Sequence, residues 1–322
     1  MTTRAAIVVA AFFVTACSAA SPSFEGDGGS TPYPDGDGGS FGFGDASLHE
    51  TGPIGDGAAC DPPDMMIVLD RSDSMKASPS GGTCRQANQT CSSGAQCCSG
   101  VCTSHKCIGS GDAGVSASKW TLAVAAVDLI TQAPTDQTMR FGLELLPDVP
   151  CVSVQGQGMC GSGVVETELG LGNGAAIAST LQTTQLELGT PIGGALHVAQ
   201  TKLASVKVSN RKQYAMLVTD GGETCSVDGP LPVVQSLAAS GIDTFVIGFG
   251  SAVDASLLND LACAGMTAKN FSSSCMQSSG GYVASVPSTT HVYYDASDGP
   301  ALQTALATIT NGVCCGCNVP VN

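Results

Sequence analysis

Two short segments, Leu69-Asp70-Arg71-Ser72-Asp73-Ser74-Met75 and Val218-Thr219-Asp220-Gly221, stand 150 residues apart from Asp70 to Asp220, and each closes an apolar run with a carboxylate. Together with Thr190 they read as one divalent-cation site built from distant loops. Carboxylates and hydroxyls form a hard oxygen set, which suits Mg²⁺, Mn²⁺ or Ca²⁺ rather than a soft metal. Each residue also has a plainer use. Asp70 or Asp220 after a strand, and Ser72 or Thr190 before a helix, are good helix caps. Gly193 and Gly194, just past Thr190, read as close helix packing, and Asp73 reads as facing solvent.

The elements needed to bring these loops together are legible in the hydrophobic pattern. Met65 to Leu69 is a continuous apolar run, as expected of a strand buried on both faces. Ser118 to Gln132 has helical periodicity, and Met139 to Leu146 reads as a strand. Further on, Thr190 to Ser205 reads as a helix, Tyr214 to Thr219 as a buried strand, Leu231 to Ser240 as a helix and Ile242 to Phe249 as a strand. Ala255 to Ala264 is helical, His291 to Tyr294 a short strand, and Pro300 to Asn311 a final helix. This alternation predicts an α/β fold, a Rossmann-like, doubly wound, mainly parallel sheet with helices on both faces. Ligands of such folds bind beyond the carboxyl ends of the strands. Asp70 and Asp220 both fall there.

In family order, Asp70-x-Ser72-x-Ser74, Gly189-Thr190-Pro191 and Thr219-Asp220-Gly221 closely resemble the metal-ion-dependent adhesion site of von Willebrand factor type A domains. The similarity covers roughly residues 60 to 78 and 114 to 317, and all five motif positions are filled. The resemblance implies direct metal ligation by Ser72 and Ser74, ligation by Thr190 directly or through water, and Asp70 and Asp220 as ligands or holders of coordinating waters. It also implies a coordination position left for a carboxylate of a partner protein.

Where such domains pass from the first loop straight into a helix, about 35 residues are inserted here, and six are cysteines: Cys84, Cys91, Cys97, Cys98, Cys102 and Cys107. The loops between them are too short for a hydrophobic core, so covalent links are expected to hold the segment. Six cysteines allow fifteen pairings. The spacing resembles inhibitor cystine knots, and that resemblance implies Cys84 with Cys98, Cys91 with Cys102 and Cys97 with Cys107. Zinc is the rival reading, disfavoured in an oxidising compartment. Apart from Cys17, nine cysteines remain, an odd number: Cys60, Cys151, Cys160, Cys225, Cys263, Cys275, Cys314, Cys315 and Cys317. Cys151 with Cys160 is the most local candidate pair, and Cys225 with Cys263 a second. Cys60 and the cluster at 314–317 read as a clamp between the domain's ends.

The opening Met1-Thr2-Thr3-Arg4, the apolar run Ala5 to Val14 and Ala16-Cys17 have the layout of an export signal. Ten apolar residues are too few to span a bilayer, which needs about 20. Val14-Thr15-Ala16-Cys17 resembles the bacterial lipobox, which implies lipidation of Cys17. Ser18 after it implies, by analogy with Gram-negative lipoproteins, sorting to the outer membrane. Residues 18–59 are rich in Gly, Ser, Asp and Pro and read as a tether. As a Gly-rich coil it reaches roughly 36 Å. The expected organisation is therefore a signal over 1–17, a tether over 18–59, one domain over 60–317 interrupted by the insertion at 79–113, and a tail over 318–322.

Composition narrows the function. A chain of 322 residues with 43% hydrophobic content holds one sizeable domain rather than a disordered polymer. A net charge of -15 with twelve scattered Lys and Arg disfavours nucleic acid. No Gly-x-Ser-x-Gly elbow occurs, the run Gly38-Gly39-Ser40-Phe41-Gly42 lying in the low-complexity tether, nor does a His-Glu-x-x-His or phosphate loop, and His49, His105, His197 and His291 sit beside no plausible nucleophile. The leading expectation is an exported, lipid-anchored module for cation-dependent protein capture, not an enzyme. A structural envelope protein with a stabilising metal is the alternative, and a metal-dependent hydrolase a more distant one.

Overall fold

The computed structural model describes residues 61–79, 90–92, 102–107, 117–149, 152–154, 157–159, 161–224 and 229–313. In chain order these form β1 (Asp64–Asp70), a 3₁₀ turn (Asp73–Lys76), the two-residue strands β2 (Cys102–Thr103) and β3 (Lys106–Cys107), and α1 (Lys119–Thr131). A second 3₁₀ turn (Thr135–Gln137) leads to β4 (Arg140–Leu146), the small pair β5 (Val152–Val154) and β6 (Gln157–Met159), then β7 (Val164–Gly170), α2 (Gly174–Thr183) and α3 (Ile192–Ser205). The remainder is β8 (Gln213–Thr219), α4 (Leu231–Ala239), β9 (Ile242–Phe249), α5 (Ala255–Ala264), α6 (Phe271–Ser274), β10 (Cys275–Ser278), β11 (Gly281–Ala284), β12 (Tyr294–Ala296) and α7 (Gly299–Val313).

Six strands make the central sheet in the order β12-β9-β8-β1-β4-β7. All neighbours run parallel except β7, which is antiparallel to β4. The expected mainly parallel, doubly wound α/β sheet is the fold observed. β1 lies in the middle with every residue buried, which is why it carries no polar residue between its terminal aspartates. Its side chains alternate between two cores. Met65, Ile67 and Leu69 pack with Val127 and Ile130 of α1 and Leu306 of α7, while Met66 and Val68 pack with Leu196 of α3, Val234 of α4 and Leu258 of α5. Each such side chain contributes about 1.5–3 kcal/mol on burial.

From β1 the sheet grows to β4 on one side and to β8 on the other, so a topological switch falls beside β1. The register sets Leu69 opposite Val218, bringing Asp70 level with Thr219 at the carboxyl edge. The opposite edge is locked by Asp64, whose carboxylate meets Arg140 Nε at 2.8 Å and Gln213 Nε2 at 3.2 Å.

Several expectations need correction. The strand expected over His291 to Tyr294 begins only at Tyr294. The Val292 N–H is instead taken by Asn259 Oδ1 at 2.9 Å, so the ladder with β9 starts where that bond ends. Val164–Gly170 and Gly174–Thr183, unassigned from the sequence, form the antiparallel edge strand and a helix capping that side of the sheet. Cys263 does not pair with Cys225. It is bonded to Cys275, with Cα atoms 5.6 Å apart, because β11 packs on α5 and holds its hairpin partner β10 beside it. Cys91 is bonded to Cys102, the pairing implied by the knot resemblance, and Cys107 is disulfide-bonded as well. Cys84, Cys97, Cys98, Cys151, Cys160 and Cys225 lie outside the described residues, as do Cys17, the export signal and the tether. Among the described residues no helix is long and apolar enough to cross a membrane.

Candidate cation site at the carboxyl edge of the sheet

Asp70 ends β1 fully buried, with both oxygens committed. Its Oδ1 accepts the Ser72 N–H at 2.8 Å, which turns the chain off the strand, and its Oδ2 accepts the Thr219 hydroxyl at 2.7 Å. One carboxylate thus fixes the start of the first motif loop to the end of β8. Burial, followed by the nearby Asp220, pushes the Asp70 carboxyl up to about 6, against the opposing pull of the Ser72 and Thr219 hydrogen bonds.

The Ser72 loop then bends into the 3₁₀ turn, with the Met75 N–H donating to the Ser72 carbonyl. Met75 is buried in the core and anchors the turn from beneath. Above it, Ser74 Oγ donates to Asp220 Oδ1 at 2.6 Å, and the Ser72 and Ser74 hydroxyls are 2.8 Å apart. Since the Ser74 proton is committed to Asp220, Ser72 is the donor of that pair. The result is a relay of hydroxyls running onto a carboxylate. Asp73 pairs with Lys76 on the exposed side of the turn, as expected of a solvent-facing residue.

Asp220 is also fully buried. Among the described residues its Oδ2 accepts no hydroxyl or backbone N–H and instead meets the ammonium of Lys119, itself only 2% exposed. Thr190 precedes α3 in a loop that turns at Gly189, where φ is +101°, and it is buried to 5% exposure. Thr224 clips this loop to the Asp220 loop. Its Oγ1 accepts the Thr190 N–H at 2.8 Å, and its own N–H donates to the Thr190 carbonyl at 3.2 Å. Glu223 Oε2 accepts the Gly193 N–H at 2.7 Å, placing a carboxylate at the amino end of α3 where the helix dipole favours it. Gly194 lets α3 approach the chain at Ser162, since a Cβ there would lie 3.2 Å from it.

A cleft of about 320 Å³ opens over this assembly, walled by Ser72, Ser74, Thr190, Asp220, Gly221 and Gly222 among others. Four of the five predicted donors therefore line one cavity. The fifth, Asp70, stands behind the wall and braces it. Among the described residues no cluster of three or more His, Cys, Asp or Glu fit to hold a metal occurs, so a cation here must rest on hydroxyls with few carboxylates. The donor set fits a hard cation: all side-chain donors are oxygen, with Ser72, Thr190 and Asp220 buried and Ser74 exposed at the mouth.

Residues 161–280 match the family model of the von Willebrand factor type A domain. The observed fold is the Rossmann-like α/β arrangement of that family. The match includes Thr190 and Asp220, while the Asp70-x-Ser72-x-Ser74 loop precedes it. No curated protein matches the chain. Among solved structures, an aerotolerance-related membrane protein from Bacteroides fragilis is similar at 14% identity, covering 63% of this chain and 88% of that one, with a TM-score of 0.43. Proximal thread matrix protein 1 of the mussel byssus gives 14% identity over 79% of this chain and a TM-score of 0.46, and the chain spans 49% of its length. Manganese-loaded TRAP protein of Plasmodium vivax gives 16% identity over 63% of this chain and 64% of that one, with a TM-score of 0.40.

Sequence reasoning missed Lys119, Thr219, Glu223 and Thr224. Thr219 was readable as part of the Thr-Asp-Gly motif, but its bond to Asp70 follows from strand register. Lys119 follows Ser118 at a helix start, and nothing local marks it as aimed at a residue 101 positions later.

Proposed function

We propose that this von Willebrand A-type domain holds a divalent cation, Mg²⁺ or its analogues Mn²⁺ and Ca²⁺, on Ser72, Ser74, Thr190 and Asp220 with Asp70 as brace, and captures another protein through an acidic side chain. The observation that carries the reading is the Ser72–Ser74–Asp220 relay, at 2.8 and 2.6 Å, opening into the same cleft as Thr190. When bound, the cation supplies Lewis acidity toward an oxyanion of the partner. The chain's own residues do the rest. The Asp70 bonds set the turn, Thr224 fixes the Thr190 loop, and Gly221 lines the cleft with backbone alone. The domain acts as a binding module, not an enzyme, exported and tethered to a membrane through lipid on Cys17, with the 42-residue segment 18–59 as spacer.

Calorimetric titration of the oxidised chain with Mg²⁺, Mn²⁺ and Ca²⁺ tests the site directly. Uptake of one equivalent is expected, with loss in Ser74→Ala. Partner capture is then compared in Mg²⁺ and in chelator, alongside melting temperature. If Ser74→Ala lowers stability but retains the same partners, the cation is structural and the adhesive reading falls.

A further inference from the structure

Lys119 is the first residue of α1, and its position is fixed independently of its charge. Its N–H donates to the Ala77 carbonyl at 2.8 Å, and Ser118 before it caps the helix by accepting the Thr121 N–H at 3.1 Å. The side chain then runs inward past Gly250, where a Cβ would stand 3.2 Å from Lys119 Cδ and 2.7 Å from the Pro79 carbonyl. Gly250, at a φ of +90°, leaves room for the stem. The ammonium ends on Asp220, with the lysine 2% exposed and the aspartate fully buried. Burying an ammonium costs free energy that an apolar side chain of the same length would not. Helix capping and core packing at this position are both satisfied without it.

We propose that Lys119 is the internal counter-ion of the cleft: it balances Asp220 while no divalent cation is held, keeping the two motif loops assembled, and it sets how tightly a cation is then held. The charges explain both effects. Asp220 on the cleft wall, Asp70 buried behind it and Lys119 together carry one net negative charge, Asp73 at the rim being paired with Lys76, and a divalent cation turns that to one net positive charge. Repulsion from the ammonium weakens retention of the cation, and the surplus positive charge favours an anionic group on the partner. This inference rests on the cation reading of the same site, but its test separates the two.

The full-length oxidised chain, Lys119→Met and Lys119→Arg are titrated with Mn²⁺ by calorimetry and melted in chelator. Lys119→Met is expected to bind Mn²⁺ at least tenfold tighter than wild type and to melt lower in chelator, with Mn²⁺ restoring it. Lys119→Arg should stay within about threefold of wild type. A Lys119→Met/Asp220→Asn double variant, which needs no counter-ion, should melt above Lys119→Met in chelator, a rescue that a purely steric role would not give. Mn²⁺ affinity unchanged or weakened in Lys119→Met overturns the proposal and leaves the cation reading standing. Uptake by Lys119→Met with none by wild type does the reverse: the native site is then no cation site, and the lysine stands in for the metal. Uptake by neither ends both.

Discussion

Glu144 offers a sharp test of the physical picture. It lies on β4, fully buried, between Val68 of β1 and Val165 of β7, and neither carboxylate oxygen has a hydrogen-bond partner among the described residues. Burial alone pushes its carboxyl up from 4.5 to about 9. The group is therefore protonated in the folded protein at pH 7 and ionised in the unfolded chain. The folded state binds the extra proton, so stability falls as pH rises, from 4.5 up to about 9. Neutral pH stands about 2.5 pH units above the unfolded value, at about 1.4 kcal/mol each, which gives a penalty of about 3 kcal/mol at pH 7. Glu144→Gln keeps the shape, carries no proton equilibrium and is expected to be more stable by that amount at pH 7, roughly 10 °C in melting temperature. Urea unfolding of both proteins between pH 5 and 8 measures it. The difference between variant and wild type should grow by about 1.4 kcal/mol per pH unit and shrink toward zero as pH approaches 4.5. A difference that is flat with pH, or a variant no more stable at pH 7, would show that Glu144 is ionised in the fold and would refute the argument.

Removing the clip between the motif loops by Thr224→Val leaves the Thr190 N–H without its side-chain acceptor. The expected cost is about 1 kcal/mol of stability with a severalfold loss of cation affinity, read by melting and calorimetry on the same sample; unaltered affinity would mean that Thr190 does not depend on this bond. Replacing Cys263 and Cys275 together by alanine opens a link that spans 12 residues. A loss of about 3 kcal/mol in urea unfolding is expected, with the cleft's cation affinity retained, because the β10–β11 hairpin contributes no residue to the cleft wall.

The local pattern was sufficient wherever one chemical constraint dominated. A strand buried on both faces must be mainly apolar, so Met65 to Leu69 and Tyr214 to Thr219 were visible without knowing their neighbours, as was Ile242 to Phe249 despite Asp243 and Thr244 near its start. The long helices were visible for the complementary reason, since each shows the sheet one stripe of a helical period. Val164–Gly170 escaped because an edge strand exposes one face: Glu166 and Glu168 point outward while Thr167 and Leu169 are buried, and seven residues of weak alternation look like a loop. Gly174–Thr183 escaped because its small and polar residues form no continuous apolar stripe, and of its large apolar side chains only Ile177 and Leu181 reach the core.

The proposed donors were likewise readable from residue type and order alone: two carboxylates at strand ends, two serines just after the first strand and a threonine just before a helix. What only the tertiary structure decided is how those groups divide their work. The β1–β8 register puts Asp70 behind the cleft on Thr219 rather than in it, and the entry of α1 sends Lys119 onto Asp220. The packing of the β10–β11 hairpin on α5 through β11 joins Cys263 to Cys275 instead of the candidate named from sequence. A sequence carries a side chain's chemistry, but its charge state and partner depend on which distant groups share its burial, and that is fixed only when the sheet has closed around it.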